Sequence, residues 1–210
     1  QLMRELVPVA KYRTGRMAVD TSSYACEVLG GNGYVEEFVT ERLLRDAQVL
    51  PIWEGTSNIL SLDLLRALDR EDAHEALLPY VRADLDAVDH PAVAPAAEIV
   101  EEAFVDLQNA LGTLATADPD YAQHEAKQLA DLCFDVVTGA RLCDHAQHAI
   151  ETDGDARKAL VATWFARTRF GEDEARGITD GEALPDEHFD AIVRYAPVEP
   201  DALVPAATGD

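Results

Sequence analysis

Apolar residues in this chain return every three or four positions almost from end to end, and no stretch alternates with the period of two that a half-buried strand needs. The pattern predicts an all-α chain. A first helix is expected from about Val9 to Leu29, where Met17, Thr21, Tyr24 and Val28 share a face and Gly30 is placed as a left-handed C-cap. A short helix over Thr40–Asp46 comes next, then an extended piece, Val49–Trp53. Thr56 or Ser57 caps the following helix, whose stripe is Leu60, Leu64 and Leu68.

Beyond Asp69 the acidic residues thicken, and a soft domain boundary is expected there, with a helical extension over 70–195. Leu78, Val81, Leu85 and Val88 mark one amphipathic helix, with Pro79 near its first turns. Ile99 or Val100, Phe104, Leu107, Leu111 and Leu114 mark another. Asp118-Pro119 forms an N-cap and first-position pair for a long helix ending at Asp153-Gly154. A further helix over Asp155–Phe170 stops at Gly171, and Pro185 opens a short one through Phe189, Ile192 and Val193. The Pro- and Ala-rich residues 196–210 are expected to be a disordered tail. Helices joined by short connections predict an antiparallel bundle.

Composition narrows the setting. The formal charge of -23 over 210 residues comes from 40 acids against 17 Lys and Arg, and Lys occurs only at 11, 127 and 158. Repulsion on that scale destabilises a compact state unless salt screens it. The acids are spread along the chain instead of blocked into a tail, which favours a salt-adapted, halophilic protein over a nucleic-acid mimic. Binding to nucleic-acid phosphates needs clustered Lys and Arg, and is disfavoured. Cys26, Cys133 and Cys143 are odd in number and lack metal or redox spacing, pointing to reduced thiols and a cytoplasmic location. No apolar run reaches the length of a membrane span, and no signal peptide opens the chain. Gln at position 1 suggests a fragment.

Two local features carry candidate chemistry. Gly30-Gly31-Asn32-Gly33 matches neither the phosphate-loop nor the dinucleotide fingerprint, and alone reads as a cap followed by a tight turn. Glu54 alone is equally ambiguous, because acids near helix N-termini commonly serve only the dipole. Arg45 and Asp46 read as a local ion pair, and Trp53 either lines a pocket or fills core. His145 and His148, one helical turn apart, lack a metal-ligand context, so no metal set is assigned. Cys133, with Leu129 and Val136, reads as core.

Taken in order and at their spacing, LGGNGY from Leu29 and ERLLRDAQVLPIWEGTSNIL from Glu41 resemble the C-terminal helical domain of the acyl-CoA dehydrogenase family of flavoproteins. The resemblance runs from about Val9 to Leu68. Trp53 before Glu54, with LDLLRAL after it, leans towards the alkylation-response branch. The implied architecture is a helical bundle of that type over 1–69, followed by the acidic extension.

The resemblance also implies a reaction. Glu54 falls where many members keep the base that removes the α-proton of an acyl-CoA thioester, while the β-hydride goes to flavin N5. A carboxylate base of this kind works best in a water-poor slot, where desolvation raises proton affinity. The family polarises the thioester carbonyl with the backbone N–H of this Glu and a flavin ribityl hydroxyl. Thr56 and Asn58 match positions contacting the FAD of the same subunit. Gly30 and Gly31 match a loop approaching the adenosine diphosphate part of FAD on a neighbouring subunit, with Glu27 where many members carry Gln. Trp53 is the candidate lining residue of the acyl pocket. Expected partners are an acyl-CoA, an electron-transfer acceptor protein, and further copies of the chain in a dimer or tetramer. The rivals are an alkylation-response-type flavoprotein with little fatty-acid role, and a non-catalytic helical interaction module.

Overall fold

A computed structural model describes residues 1–171 and 188–204. Among them there is no strand: the chain is α1 (Leu2–Leu29), α2 (Gly31–Tyr34), α3 (Thr40–Ala47), α4 (Ser57–Glu71), α5 (His74–Asp86), α6 (Ala94–Thr116), α7 (Pro119–Asp153), α8 (Arg157–Phe170), α9 (Phe189–Val193) and a 3-10 turn, Pro200–Leu203. The expected all-α class therefore holds. Pro185, expected to open the last short helix, lies outside the described residues. The chain divides into two compact units, residues 1–77 with 110–134 and residues 78–109 with 135–210.

In the first unit, α1 is the central element and α2, α3 and α4 all pack on it. It starts seven residues before the expected Val9, carrying Pro8 within it. Its buried face is Glu5, Pro8, Val9, Tyr12, Gly15 and Val19, a helical stripe of alternating three- and four-residue steps. The expected face is the other one. Met17 is 42% exposed, Tyr24 67% and Val28 85%, so this chain leaves those apolar side chains uncovered. On α4 the buried positions are Ser61, Leu64 and Ala67, one residue away from the expected leucine stripe at two of three places. Ser61 and Ala67 are small there, while Leu64 is one of the largest fully buried side chains, and the Ser61 hydroxyl is satisfied by donating to the Ser57 carbonyl at 2.9 Å.

Ion pairs fasten this unit at both ends. Arg4 grips Asp63 through both terminal nitrogens, at 2.7 and 2.8 Å, and donates from Nε to Glu71 at 2.9 Å. The Arg4 hydrogen bonds hold the Asp63 carboxyl below its usual range. Arg13 reaches Asp131 at 2.6 Å, with its guanidinium 5.3 Å from the centre of the Phe134 ring. Between these pairs lies an acid without one. Glu5 is 1% exposed, its Oε2 has no hydrogen-bond partner, and burial pushes its pKa up to about 7. Cys133 is core, as expected, and burial followed by the Glu5 charge raises its thiol pKa.

The second unit is built on small residues. Ala140, Cys143 and Ala146 on α7, and Ala159, Ala162 and Ala166 on α8, are all buried. A Cβ on Gly139 would come 2.8 Å from Val100 Cγ2, so α6 and α7 meet at a distance only glycine allows. Arg82 holds Glu101 in a two-bond fork at 2.8 and 2.6 Å, and lies 4.9 Å from the Phe104 ring centre. Buried Gln147 accepts from the N–H groups of Asp89 and His90 and donates to Asp89 Oδ1 and Glu151 Oε1. That side chain closes the α5–α6 connection. Arg141 donates to buried Asp84 at 2.7 Å, and its Nη2 lies 2.8 Å from His145 Nε2. Since arginine only donates, that imidazole nitrogen accepts.

The cap read from Asp118-Pro119 is present: Asp118 Oδ1 accepts the N–H of Asp120 at 2.9 Å, and α7 begins at Pro119. The expected disordered tail is not found through residue 204. Ala156 donates to the Val198 carbonyl at 2.8 Å, Val198 donates to Asp155 at 2.9 Å, and Arg157 lies 4.9 Å from the Tyr195 ring centre. These bonds give a Pro-rich segment the fixed partners that its composition does not reveal. Residues 205–210 lie outside the described set.

Candidate functional site

The segment joining α3 to α4 is not the extended piece that Val49–Trp53 suggests. Leu50 donates to Ala47, and Ile52 and Trp53 both donate to Val49, so successive tight turns coil the chain. Pro51, with no N–H, contributes its fixed φ to the bend. The turn then leaves ordinary backbone space: Glu54 has φ 55° and Gly55 φ 110°. A non-glycine residue in the left-handed region costs on the order of 1 kcal/mol, so neighbouring structure must hold it there. Thr56 returns to extended backbone as the N-cap of α4, without a side-chain capping bond.

What holds the turn is α1. Lys11 Nζ donates to the carbonyls of Leu50 at 2.9 Å, Trp53 at 2.6 Å and Gly55 at 2.8 Å, using all three ammonium donors on one loop. One helical turn further along, the loop backbone lies beside Gly15, where a Cβ would be in ordinary contact, 3.4 Å from the Leu50 carbonyl atoms. The Lys11 ammonium, with Gly15 on the same face of α1, thus seats the Glu54 turn. Sequence reasoning missed both. The available signal was Lys11 itself, one of three lysines in a strongly acidic chain.

The Glu54, Thr56 and Asn58 side chains are exposed around this turn and the first turn of α4, and Trp53 is 54% exposed. Within this chain, then, Trp53 is not core. Arg45 pairs with Glu41, and Arg42 reaches Asp46 at 3.6 Å, replacing the expected Arg45–Asp46 pair. Helical i,i+4 spacing explains the exchange, because adjacent residues on a helix point apart.

The glycine loop forms a separate junction, between α1 and α2. Gly30 has φ 60° with ψ -134°, so φ is positive as expected, but the residue is not in the helical left-handed well. Gly33 packs directly on α1, where a Cβ would lie 2.2 Å from the Cys26 carbonyl oxygen. At Gly30 and Gly31 an added Cβ would meet nothing within 4 Å. Among the described residues, nothing packed against Gly31 requires it to lack a side chain. Beside the loop lies an open concavity of about 810 Å³, lined by Cys26, Tyr34, Glu36, Glu37, Glu41 and Arg45 among others.

The model of the acyl-CoA dehydrogenase C-terminal domain matches residues 1–68, covering the turn, the glycine loop and α4 almost to its end. This segment belongs to the acyl-CoA dehydrogenase family. Acyl-CoA dehydrogenase family member 11 of Caenorhabditis elegans is 36% identical over 69% of this chain, which covers 24% of that protein. Putative acyl-CoA dehydrogenase AidB of Escherichia coli is 43% identical, over 32% of this chain and 13% of its own length. The chain thus spans a quarter or less of these relatives. The crystal structure of Caenorhabditis elegans ACDH-11 in complex with C11-CoA superposes with a TM-score of 0.71 at 32% identity, over 79% of this chain and 29% of that one. Similarity to the nematode protein therefore continues past the family domain into the acidic extension, whereas the AidB match covers a stretch of only 68 residues.

An acyl-CoA dehydrogenase domain is expected to meet FAD, and the residues present fit it unevenly. Open backbone at Gly30 and Gly31 leaves room for a close-lying group, and Thr56 leaves its hydroxyl free of a capping bond. The charge beside the loop runs the other way: three glutamates line the concavity, and its arginine is already paired with Glu41. A diphosphate there would need cations from another surface. No described helix is long and apolar enough to cross a membrane.

Proposed function

We propose that this chain is the base-bearing part of an FAD-dependent enzyme that removes the α- and β-hydrogens of an acyl-CoA thioester. The observation that carries the reading is the seating of Glu54: a single carboxylate at the end of a turn forced into left-handed backbone and tied to α1 through Lys11. Fixed placement of a proton acceptor is what abstraction from a weak carbon acid needs.

In this reading Glu54 takes the α-proton of the thioester, and its own N–H donates to the thioester oxygen, where negative charge develops. Gly30, Gly31, Thr56 and Asn58 are the residues that would hold FAD. When bound, FAD supplies the acceptor for the hydride leaving the β-carbon, so that a trans-2-enoyl-CoA results. Trp53, exposed next to Glu54, would form one wall of the acyl pocket. Because Glu54 is open to water here, the walls that dry the site come from surfaces beyond this chain's own. The uncovered apolar face at Met17, Tyr24 and Val28 supports assembly of copies into a dimer or tetramer. Electrons would pass onward to an electron-transfer acceptor protein, in the cytoplasm.

The test is the full-length protein in high salt. Flavin absorption bands bleached by an acyl-CoA, with turnover once an artificial acceptor is added, are expected. Glu54→Gln should lose turnover by at least about 10³-fold while keeping its flavin. Undiminished activity in that variant would remove Glu54 as the base. A colourless protein would leave a helical interaction module. A flavoprotein inert towards straight, branched and aryl acyl-CoAs would favour the alkylation-response reading.

A further inference from the structure

We propose that Lys11 is a positioning residue for the reaction, acting through the Trp53–Glu54 peptide to aim and strengthen the Glu54 N–H as a donor to the thioester oxygen. The inference rests on the functional reading above and adds a residue that the family resemblance did not supply.

The geometry starts from the peptide plane. The carbonyl of Trp53 and the N–H of Glu54 belong to one peptide unit, and none of the described peptide bonds is cis. In a trans peptide those two groups point in opposite directions. Lys11 Nζ holds the Trp53 oxygen at 2.6 Å, the shortest of its three bonds. Anchoring that oxygen towards α1 turns the Glu54 N–H away from α1, to the open side of the loop. There the N–H has no backbone partner among the described residues. A donor left free by a loop this heavily bonded on its other side is available to a ligand.

The same contact changes the strength of the donor. An ammonium on a carbonyl oxygen draws electron density through the amide and leaves the N–H more positive, as in any chain of hydrogen bonds that polarise one another. It also places a fixed positive charge behind the peptide, on the side opposite the developing oxyanion, where no reorganisation is needed during reaction. The bonds to Leu50 and Gly55 hold the loop on both sides of Glu54. Lysine suits the task because its three donors diverge from one point and meet three converging carbonyls, whereas arginine presents a flat fork.

The test uses the full-length flavoprotein carrying Lys11→Met and, separately, Lys11→Gln. Three quantities are read: flavin content, the split between kcat and KM, and the infrared stretch of a carbonyl-labelled acyl-CoA bound at the site. The expected result is normal flavin content, kcat lower by about 10- to 100-fold with little change in KM, and a bound carbonyl stretch shifted back towards its value in water. Wild-type kcat with an unchanged carbonyl stretch would overturn the proposal. So would loss of flavin in both variants, which would make Lys11 a structural clamp only. Glu54→Gln, measured alongside, separates the two levels: activity surviving there defeats the functional reading itself, while an inactive Glu54→Gln beside fully active Lys11 variants defeats only the role given to Lys11.

Discussion

Gly33 sits so tightly on α1 that a Cβ added to it would lie 2.2 Å from the carbonyl oxygen of Cys26 and 2.7 Å from its Cα. Both atoms are backbone, so neither can swing aside. Two positions earlier, Gly31 faces open space. One glycine loop therefore contains a residue that the fold requires and another that it does not.

Alanine substitution should separate them. Gly33→Ala is expected to lower stability by about 3 kcal/mol, since the clash can be relieved only by lifting α2 from α1. Gly31→Ala should change stability by less than about 0.5 kcal/mol, and in the full-length protein should weaken FAD retention instead. Denaturant midpoints and flavin content measure the two effects. Equal midpoints for the two variants would contradict the contact at Cys26.

Glu5 makes stability depend on pH in the direction opposite to a salt-bridged acid. Burial raises its folded-state pKa to about 7 from 4.5, so between those values the folded chain holds a proton that the unfolded chain has released. Stability is highest below the lower value and falls as pH rises through the upper one, by up to about 3 kcal/mol. In Glu5→Gln that fall should disappear. Urea unfolding of both proteins at several values from pH 5 to 8 gives the difference curve, and parallel curves would mean that Glu5 does not titrate in this range.

Gln147 is a neutral bridge between Asp89 and Glu151, to both of which it donates. Gln147→Glu would put a third carboxylate between two others and remove the donors that hold them. Its own acidity in the folded state would be suppressed, so the variant should be weakest at neutral pH and recover as pH falls and the new acid is protonated. A loss of about 2 kcal/mol at pH 7 is expected. Thermal melts at pH 5 and pH 7 show the sign.

A chain with a formal charge of -23 should gain stability from salt. Raising the salt from about 0.1 M to about 1 M shortens the screening length from about 10 Å to about 3 Å, enough to quench repulsion between acids on neighbouring helix turns. The melting temperature should rise over that range with NaCl and KCl alike. A flat or falling curve would remove salt adaptation as the meaning of the acids.

Signals that lie within a turn or two of chain were legible without coordinates. The all-α class, the Asp118-Pro119 cap of α7, the stop at Gly154 and the end of α1 at Gly30 all depend on helical period and on residues whose backbone preferences act locally. The family resemblance rested on the same short stretch, 29–58, and reached the residues of the turn by their order along the chain. Which face of α1 is buried did not follow, because both faces carry apolar residues and only packing against α2, α3 and α4 chooses between them. The coiling of Val49–Trp53 was hidden for a related reason: β-branched side chains suggest extension, and the turn bonds to Ala47 and Val49 override that preference.

The sequence by itself determined that this chain is helical, acidic, and built around a glycine loop and a lone glutamate at fixed separation. Tertiary structure alone decided that Lys11 reaches across 42 residues to bind the Trp53 carbonyl, that the loop rests beside Gly15, that Glu5 is sealed in without a partner, and that Val198 bonds back to Asp155 and Ala156. Helix period and capping are properties of adjacent residues and are written along the chain. A bond between a side chain and a distant carbonyl depends on where two separately folded segments come to rest, and no local pattern of residues records that.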